Sequence, residues 1–326
     1  METIAVVPSS DFKYYNGTIY WNNFDIVNYY LNKMISGEEH TNWMKHFVQT
    51  YGLKKDVFVI NCGNGWVERE LFKSGGVGSV VGADINQDLI DEAQAQASTL
   101  QMPAKYVVCD SNNFNADAQK YDLVLNHAAM HHVAWINRMA ETVAAMTRGG
   151  GLFVNFDYVG PHRNQYDAAT WQRCIEVKKS LPEKYRVTLS YPHVPTMIAT
   201  DPTEAIHSEL FVGVLQRHFD LIEYTKLGGG ISYPLLFDNC TLLRDQDTQE
   251  GLDCLRMIIE EDEKWLVQHP SSNLFAFIVA RPKRQQPSAE QLAQWVAEEN
   301  EREAAGSANG GRYYPPTLLE TVLYQA

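Results

Sequence analysis

From Lys55 onward the chain alternates short, continuously apolar runs with amphipathic stretches, and this alternation constrains the fold more than any other feature. DVFVI, SVVGADI, AKYVVC, YDLVLN and GLFVNFDYVG read as strands. A strand that is apolar on both sides must be covered on both sides, so these segments belong to a parallel sheet between two helical layers. Between them, WVERELFKSGG and QDLIDEAQAQASTL read as helices, as does VAWINRMAETVAAMTRGGG. In the last, Val133, Ile136, Met139, Ala140 and Val143 share one face, and Gly149 to Gly151 are expected to stop the helix. FDLIEYTKL and LFAFIVARP add two strands, separated by a helical stretch through Glu260 and Trp265.

The flanks divide the rest. Residues 1–52 are rich in aromatics and asparagine, with Ile26, Tyr29, Tyr30 and Met34 at helical spacing, and likewise Trp43, Phe47 and Tyr51. They read as core-facing helices or a helical lid. Residues 53–160 hold the strand–helix alternation, the ligand-binding core. Residues 161–200 show no strand pattern and carry Pro182, Pro192 and Pro195, so they form an insertion after the fifth strand, of a length that is usually functional or disordered. Residues 201–282 complete the fold. They open on DPTEAIHSELFVGVLQRHF, read as one helix with Asp201, Pro202, Thr203 and Glu204 at its N-cap to N3 positions, a structural role sufficient for Glu204. Residues 283–326 hold a polar helix, AEQLAQWVAEENEREAA, as an exposed face or the contact of a homodimer, then a linker-like tail.

Charge narrows the partners. The 27 basic residues stand against 40 acidic ones, a formal net charge of -13. Such a surface repels phosphate backbones, which argues against a nucleic-acid substrate. Cys62, Cys109, Cys174, Cys240 and Cys254 are scattered without a CxxC pair, so neither a disulfide framework nor a zinc knuckle is expected. A reduced, cytoplasmic setting fits. The start lacks a signal-peptide pattern and no apolar run is long enough to span a bilayer, so no membrane partner is expected.

In a doubly wound sheet, ligands lie at the carboxyl ends of the strands. The turn after the first strand is Asn61-Cys62-Gly63-Asn64-Gly65, where Gly63 and Gly65 let a ligand approach the backbone. Strand two ends on Asp84, whose carboxylate can accept from two ribose hydroxyls, with Ile85 beside it. Strand three is followed by Asp110 and Ser111, strand four by Asn126 and His127. Nicotinamide dinucleotides compete for such a site, but their fingerprint needs a third glycine where this chain has Glu68, and a carboxylate there repels a pyrophosphate. No GK[ST] follows the turn, which excludes a P-loop.

VFVINCGNGWVERELF, VVGADINQDLIDEAQ, VVCDSNNF and YDLVLNHAAMHHV resemble the successive motifs of class I S-adenosylmethionine-dependent methyltransferases, over about residues 40–280. SGEEHTNWMKHF, NFDYVGPHRNQYD and DPTEAIHSELFVGVLQRHFDLIEYTKLGGG resemble a bacterial subgroup linked to glycan or natural-product biosynthesis. The resemblance implies a seven-stranded Rossmann-like sheet with its last strand antiparallel, and S-adenosyl-L-methionine as cofactor. It implies that Asp84 holds the ribose, Asp110 and Ser111 the adenine, and the Gly63–Gly65 turn the methionine portion. The family's acid two residues before its first glycine is Val59 here, and Asn61 replaces that glycine. Asn tolerates the left-handed conformation that the turn requires.

Methyl transfer from a sulfonium needs alignment and, for a hydroxyl acceptor, removal of a proton. Histidine suits that task near neutrality. His132 and His131 are the first candidates on the acceptor side; His127 falls at the cofactor's methionine end. His207, three residues after Glu204, is a third candidate if both share a helical face. His127 and His131 are four apart, but the intervening AAM lacks the Glu of a zinc-protease motif, so no metal is expected. His162, Arg163, Tyr166 and His193 either line an acceptor pocket or are solvated loop residues. Within the aromatic stripe Tyr14, Tyr15, Tyr20, Trp21 and Trp43, core packing is the default, with Trp43 the exception that stacks on adenosine. The expected activity is methyl transfer to a small molecule or sugar, at a hydroxyl oxygen first and a nitrogen second. A cofactor-binding protein without turnover, or cyclase-type chemistry on the same fold, is the alternative.

Overall fold

The computed structural model describes residues 18–112 and 117–308; the expectations for Tyr14, Tyr15 and the tail beyond 308 lie outside the described residues. The strands are β1 (Lys54–Ile60), β2 (Val77–Asp84), β3 (Ala104–Val108), β4 (Tyr121–His127), β5 (Thr147–Tyr158), β6 (Phe219–Lys226) and β7 (Phe275–Pro282). They form one sheet in the order β3-β2-β1-β4-β5-β7-β6. Pairing is parallel from β3 through β5, and β7 runs antiparallel to both β5 and β6. The seven strands and the reversed last one are as the sequence implied. Strand order reverses at β1, which has β2 on one side and β4 on the other, so a crevice opens over their carboxyl ends.

The early helices are α1 (Asp25–Ser36), α2 (Trp43–Tyr51), α3 (Trp66–Lys73), α4 (Gln87–Thr99) and α5 (Ile136–Met146). After β5 come α6 (Ala168–Ser180), α7 (Val194–Thr200) and α8 (Phe211–His218). The last are α9 (Ser232–Leu236), α10 (Cys240–Arg244), α11 (Gln249–Gln268) and α12 (Ala289–Ala308). Successive strand residues face opposite sides, so Val57 and Val59 enter one core while Phe58 and Ile60 enter the other. The first core is shared with α1 to α4, α6 and α9 to α11; the second with α5 and α8. Each fully buried side chain of this size contributes about 1.5–3 kcal/mol, which is why the strands are apolar on both faces.

Four expectations are corrected. In α1 the buried stripe is Val27, Tyr30, Leu31 and Ile35, one position round from the stripe expected, and Tyr29 is exposed. Helix α5 ends at Met146, before the glycines; Gly149 to Gly151 lie in β5, where Gly150 takes a φ of 86° beside a shift in the β4–β5 register. The insertion is ordered and helical rather than a loop, built from α6, α7 and short 3-10 turns. The 201–219 stretch is helical only from Ser208, with α8 starting at Phe211. The reason lies in its carbonyls. Arg163 Nη1 donates to the carbonyls of Asp201 (3.4 Å) and Glu204 (3.0 Å), and its backbone N–H donates to that of Ala205 (2.8 Å). His162 Nδ1 lies 2.5 Å from the Ile206 carbonyl. Acceptors that a helical ladder would use are thus taken, and Ala205 turns through a φ of 50°.

Candidate active site

The turn after β1 folds as its sequence allows. Asn61, Gly63 and Gly65 all adopt positive φ, at 49°, 55° and 73°. At Gly65 a Cβ would come within 2.7 Å of Tyr106 Oη and 3.0 Å of Glu68 Oε1, so only glycine fits. Gly65 is also the N-cap of α3 and offers no side chain to its first turn, which leaves that helix start open to a ligand. Asp84 closes the other wall: Oδ2 accepts from Gly63 N–H (2.8 Å) and Oδ1 from Asn86 N–H (2.9 Å). Burial raises the Asp84 pKa, and those backbone donors partly oppose it. Asn86 in turn caps α4 through Asp88 and Leu89 N–H. Ile85 is half-buried beside them. Asp110 Oδ1 accepts from Asn112 N–H at 2.9 Å, and Asn112 Oδ1 accepts from Ala134 and Trp135 N–H, which ties the β3 loop to the start of α5. Ser111 is half-buried in the same loop.

His127 ends β4 inside an aromatic surround. Its ring stacks on Phe156 (5.2 Å) and Trp43 (5.7 Å) and meets Trp66 edge-on (5.1 Å). Burial lowers it to about 4, against the nearby Asp157, so the imidazole is neutral at physiological pH. Electron-rich faces around a neutral ring suit a cationic ligand group. Trp43 is part of this surround and is buried in the core, its ring against those of His127, Phe156 and Phe277.

The second group of residues lies at the ends of β4 and β5. Asp157 is fully buried and accepts five donors. Its Oδ2 takes Asn126 Nδ2 (2.7 Å), Ala129 N–H (3.1 Å) and Met130 N–H (2.6 Å). Its Oδ1 takes Tyr158 N–H (2.7 Å) and lies 2.6 Å from His131 Nδ1. The far side of His131, Nε2, is 3.7 Å from Glu204 Oε2, and His132 Nε2 is 3.7 Å from the same oxygen. His132 Nδ1 lies 3.0 Å from Thr203 Oγ1, whose hydroxyl donates to Asp201 Oδ1 at 2.7 Å. Thr203 can therefore only accept from His132, which puts the proton on Nδ1 and leaves Nε2 as an acceptor. Burial opposes charge on His131, but Asp157 and Glu204 outweigh it and hold the imidazole well above its usual range. Burial and then the charge on His131 push His132 down. Glu204, despite burial, is lowered to about 2 by His131 and His132.

Several sequence candidates thus come together: His131 and His132 in one cluster; Asn61, Gly63 and Gly65 in one turn, with Asp84 accepting from Gly63 N–H; Trp43 and His127 in one aromatic surround. Asn126 does not face the crevice. It is fully buried and spends its amide on Asn155 and Asp157. His207 is buried with its ring 6.5 Å from that of His162, and shares no helical face with Glu204. Arg163, His162 and Tyr166 are buried rather than solvated, and His193 is exposed against Thr196. Helix α12 is not simply an exposed face: Glu299 is buried and accepts from Asn137 N–H, and Arg302 pairs with Glu209. Asp157 and Glu204 were missed. An acid at the end of an otherwise apolar strand was the available signal for Asp157; Glu204 was hidden by its fit to a helix cap that does not form.

Residues 57–151 match the family described as a methyltransferase domain. The ubiquinone biosynthesis O-methyltransferase of Coxiella burnetii is 32% identical over 109 residues, covering 33% of this chain and 46% of that protein. Its counterpart from Rhizobium etli is 32% identical over 96 residues, covering 29% and 38%. The chain thus spans less than half the length of these relatives. Phosphoethanolamine N-methyltransferase 2 of Haemonchus contortus superposes with a TM-score of 0.49 at 13% identity, over 86% of this chain and 61% of that one. No helix among the described residues is long and apolar enough to cross a membrane. The match spans β1 through the start of β5, over the glycine turn and the acid that closes β2, so residues 57–151 carry a methyltransferase domain.

Proposed function

We propose that this chain methylates a hydroxyl oxygen of a small acceptor, a sugar or a natural product. The observation that carries the reading is the cluster of His131, His132 and Glu204, braced by buried Asp157 at the strand ends beside the cofactor crevice. When bound, S-adenosylmethionine supplies an electrophilic methyl group on a good leaving group. Asp84, the Gly63–Gly65 turn and the open start of α3 would hold it, with the aromatic surround of His127 facing its cationic end. The fit rests on the open space beside Gly63, where a Cβ would meet nothing within 4 Å, and on the neutral state of His127. The chain's own task is then to align the acceptor and remove its proton. His132 Nε2 and Glu204 Oε2 converge on one point beside the charged His131, and a hydroxyl there can donate to either acceptor while its oxygen attacks. Both relatives named above are O-methyltransferases, which favours oxygen over nitrogen as the acceptor atom.

Calorimetry with S-adenosylmethionine and S-adenosylhomocysteine tests the cofactor half, and release of S-adenosylhomocysteine with polyhydroxylated acceptors tests the transfer. His132→Ala is expected to keep cofactor affinity and lose turnover. Absence of heat with either ligand at millimolar concentration would remove the reading altogether.

A further inference from the structure

We infer that His131, His132 and Glu204 form a binding site for one divalent first-row transition metal ion. The three donor atoms lie within 4.8 Å of one another, and both imidazole Nε2 atoms stand 3.7 Å from the same Glu204 oxygen. Metal–ligand bonds of roughly 2.0–2.2 Å bring neighbouring donors to about 3.0–3.4 Å, so each imidazole–carboxylate contact of 3.7 Å has to close by about 0.3–0.7 Å. The surrounding bonds are those a metal site requires. His131 turns its Nδ1 to the buried Asp157 carboxylate at 2.6 Å, and His132 turns its Nδ1 to the Thr203 hydroxyl at 3.0 Å. Each ring is thereby fixed with its Nδ1 as donor and its Nε2 directed inward, the arrangement that orients metal-bound histidine. Glu204 is held from behind through its backbone, whose carbonyl accepts from Arg163 Nη1 at 3.0 Å.

Three ligand atoms therefore meet at one point once the ion displaces the proton on His131 Nε2, and the cation there has room for further ligands. The side chains of His132 and Glu204 remain 26% and 27% exposed, so an ion and an acceptor oxygen can reach them from one side. Two imidazole nitrogens and one carboxylate suit zinc, iron, manganese or cobalt and disfavour calcium and magnesium, which prefer all-oxygen sites. The sequence argument against a metal concerned His127 and His131, four apart. The fold assembles a different set, two adjacent histidines and a glutamate from beyond the insertion.

The inference builds on the proposed function and refines its chemistry. An acceptor hydroxyl bound to the ion would be more acidic: its O–H bond would break with the proton leaving to water, and the oxygen would use that electron pair to attack the methyl group as the methyl–sulfur bond breaks and its pair returns to the sulfur.

The test uses the full chain, freed of any affinity tag and stripped with EDTA, titrated with cobalt(II) chloride. We expect one Co2+ per chain at micromolar concentration, visible d–d absorption, and displacement by zinc. Glu204→Gln and His132→Ala should each weaken binding about 100-fold, and Thr203→Val, which removes the partner of His132 Nδ1 together with the hydroxyl's bond to Asp201, about tenfold. Absence of saturable Co2+ binding, or binding that Glu204→Gln and His132→Ala both leave unchanged, overturns the inference. Calorimetry with S-adenosylmethionine on the same metal-free protein is read separately, so failure of the metal site is distinguishable from failure of the methyltransferase reading.

Discussion

Asp157→Asn is the substitution whose consequence the structure defines most sharply. The carboxylate accepts from Asn126 Nδ2, from the N–H groups of Ala129, Met130 and Tyr158, and faces His131 Nδ1, all between 2.6 and 3.1 Å. An amide has one acceptor atom. Its best orientation turns oxygen toward Asn126, Ala129 and Met130, which leaves its NH2 facing the Tyr158 N–H and His131. Three contacts then fall from charge-assisted to neutral strength, a loss of about 0.5–1 kcal/mol each, and one buried N–H is left unpaired at a cost of about 1–3 kcal/mol. The sum is about 2.5–6 kcal/mol, a large share of the roughly 5–15 kcal/mol that stabilises a domain. For a chain of this size that corresponds to a fall in Tm of about 10 °C. Thermal melts followed by tryptophan fluorescence, with urea titration at constant pH, measure it directly. Because the bonds to Ala129 and Met130 also shape the loop that carries the histidine pair, the variant should lose turnover even where it remains folded. A loss below about 1 kcal/mol would refute the reasoning, since it would mean that the carboxylate does not organise the ends of β4 and β5.

Other outcomes follow from single residues. Asp84→Ala strands the Gly63 and Asn86 N–H groups and removes the carboxylate at the crevice wall, so calorimetry should show S-adenosylmethionine affinity reduced about 100-fold or more; unchanged affinity would displace the proposed cofactor site. Gly65→Ala puts a methyl group 2.7 Å from Tyr106 Oη at a φ of 73°, and urea titration should show a loss of about 1–3 kcal/mol. Glu68 is fully buried and burial raises it to about 7. Between its ordinary value near 4.5 and pH 7 the folded chain keeps a proton that the unfolded chain has lost, so stability falls as pH rises through that window, by up to about 3 kcal/mol. Glu68→Gln should therefore raise Tm more at pH 8 than at pH 5, and an equal shift at both would contradict this.

Local pattern determined the layered α/β architecture. Apolar runs identified the central strands because a residue covered on both sides of a sheet must be apolar whatever its partners are, while the edge strand β6 alternates exposed residues with buried or half-buried ones. The turn at Asn61, Gly63 and Gly65 and the acid at Asp84 were legible for a similar reason: backbone conformation and strand-end position are properties of a few neighbouring residues. Glu204, Arg163 and Asp157 were not. Arg163 takes the carbonyls that a helix over 201–207 would have used, so a segment with a good capping pattern becomes a loop, and its glutamate is delivered to two histidines far away in the chain. Capping propensity amounts to about 1 kcal/mol, and several hydrogen bonds from a buried guanidinium exceed it. What the acceptor meets was thus decided by long-range pairing of buried polar groups, whose strength depends on partners and burial that no local pattern of residues encodes.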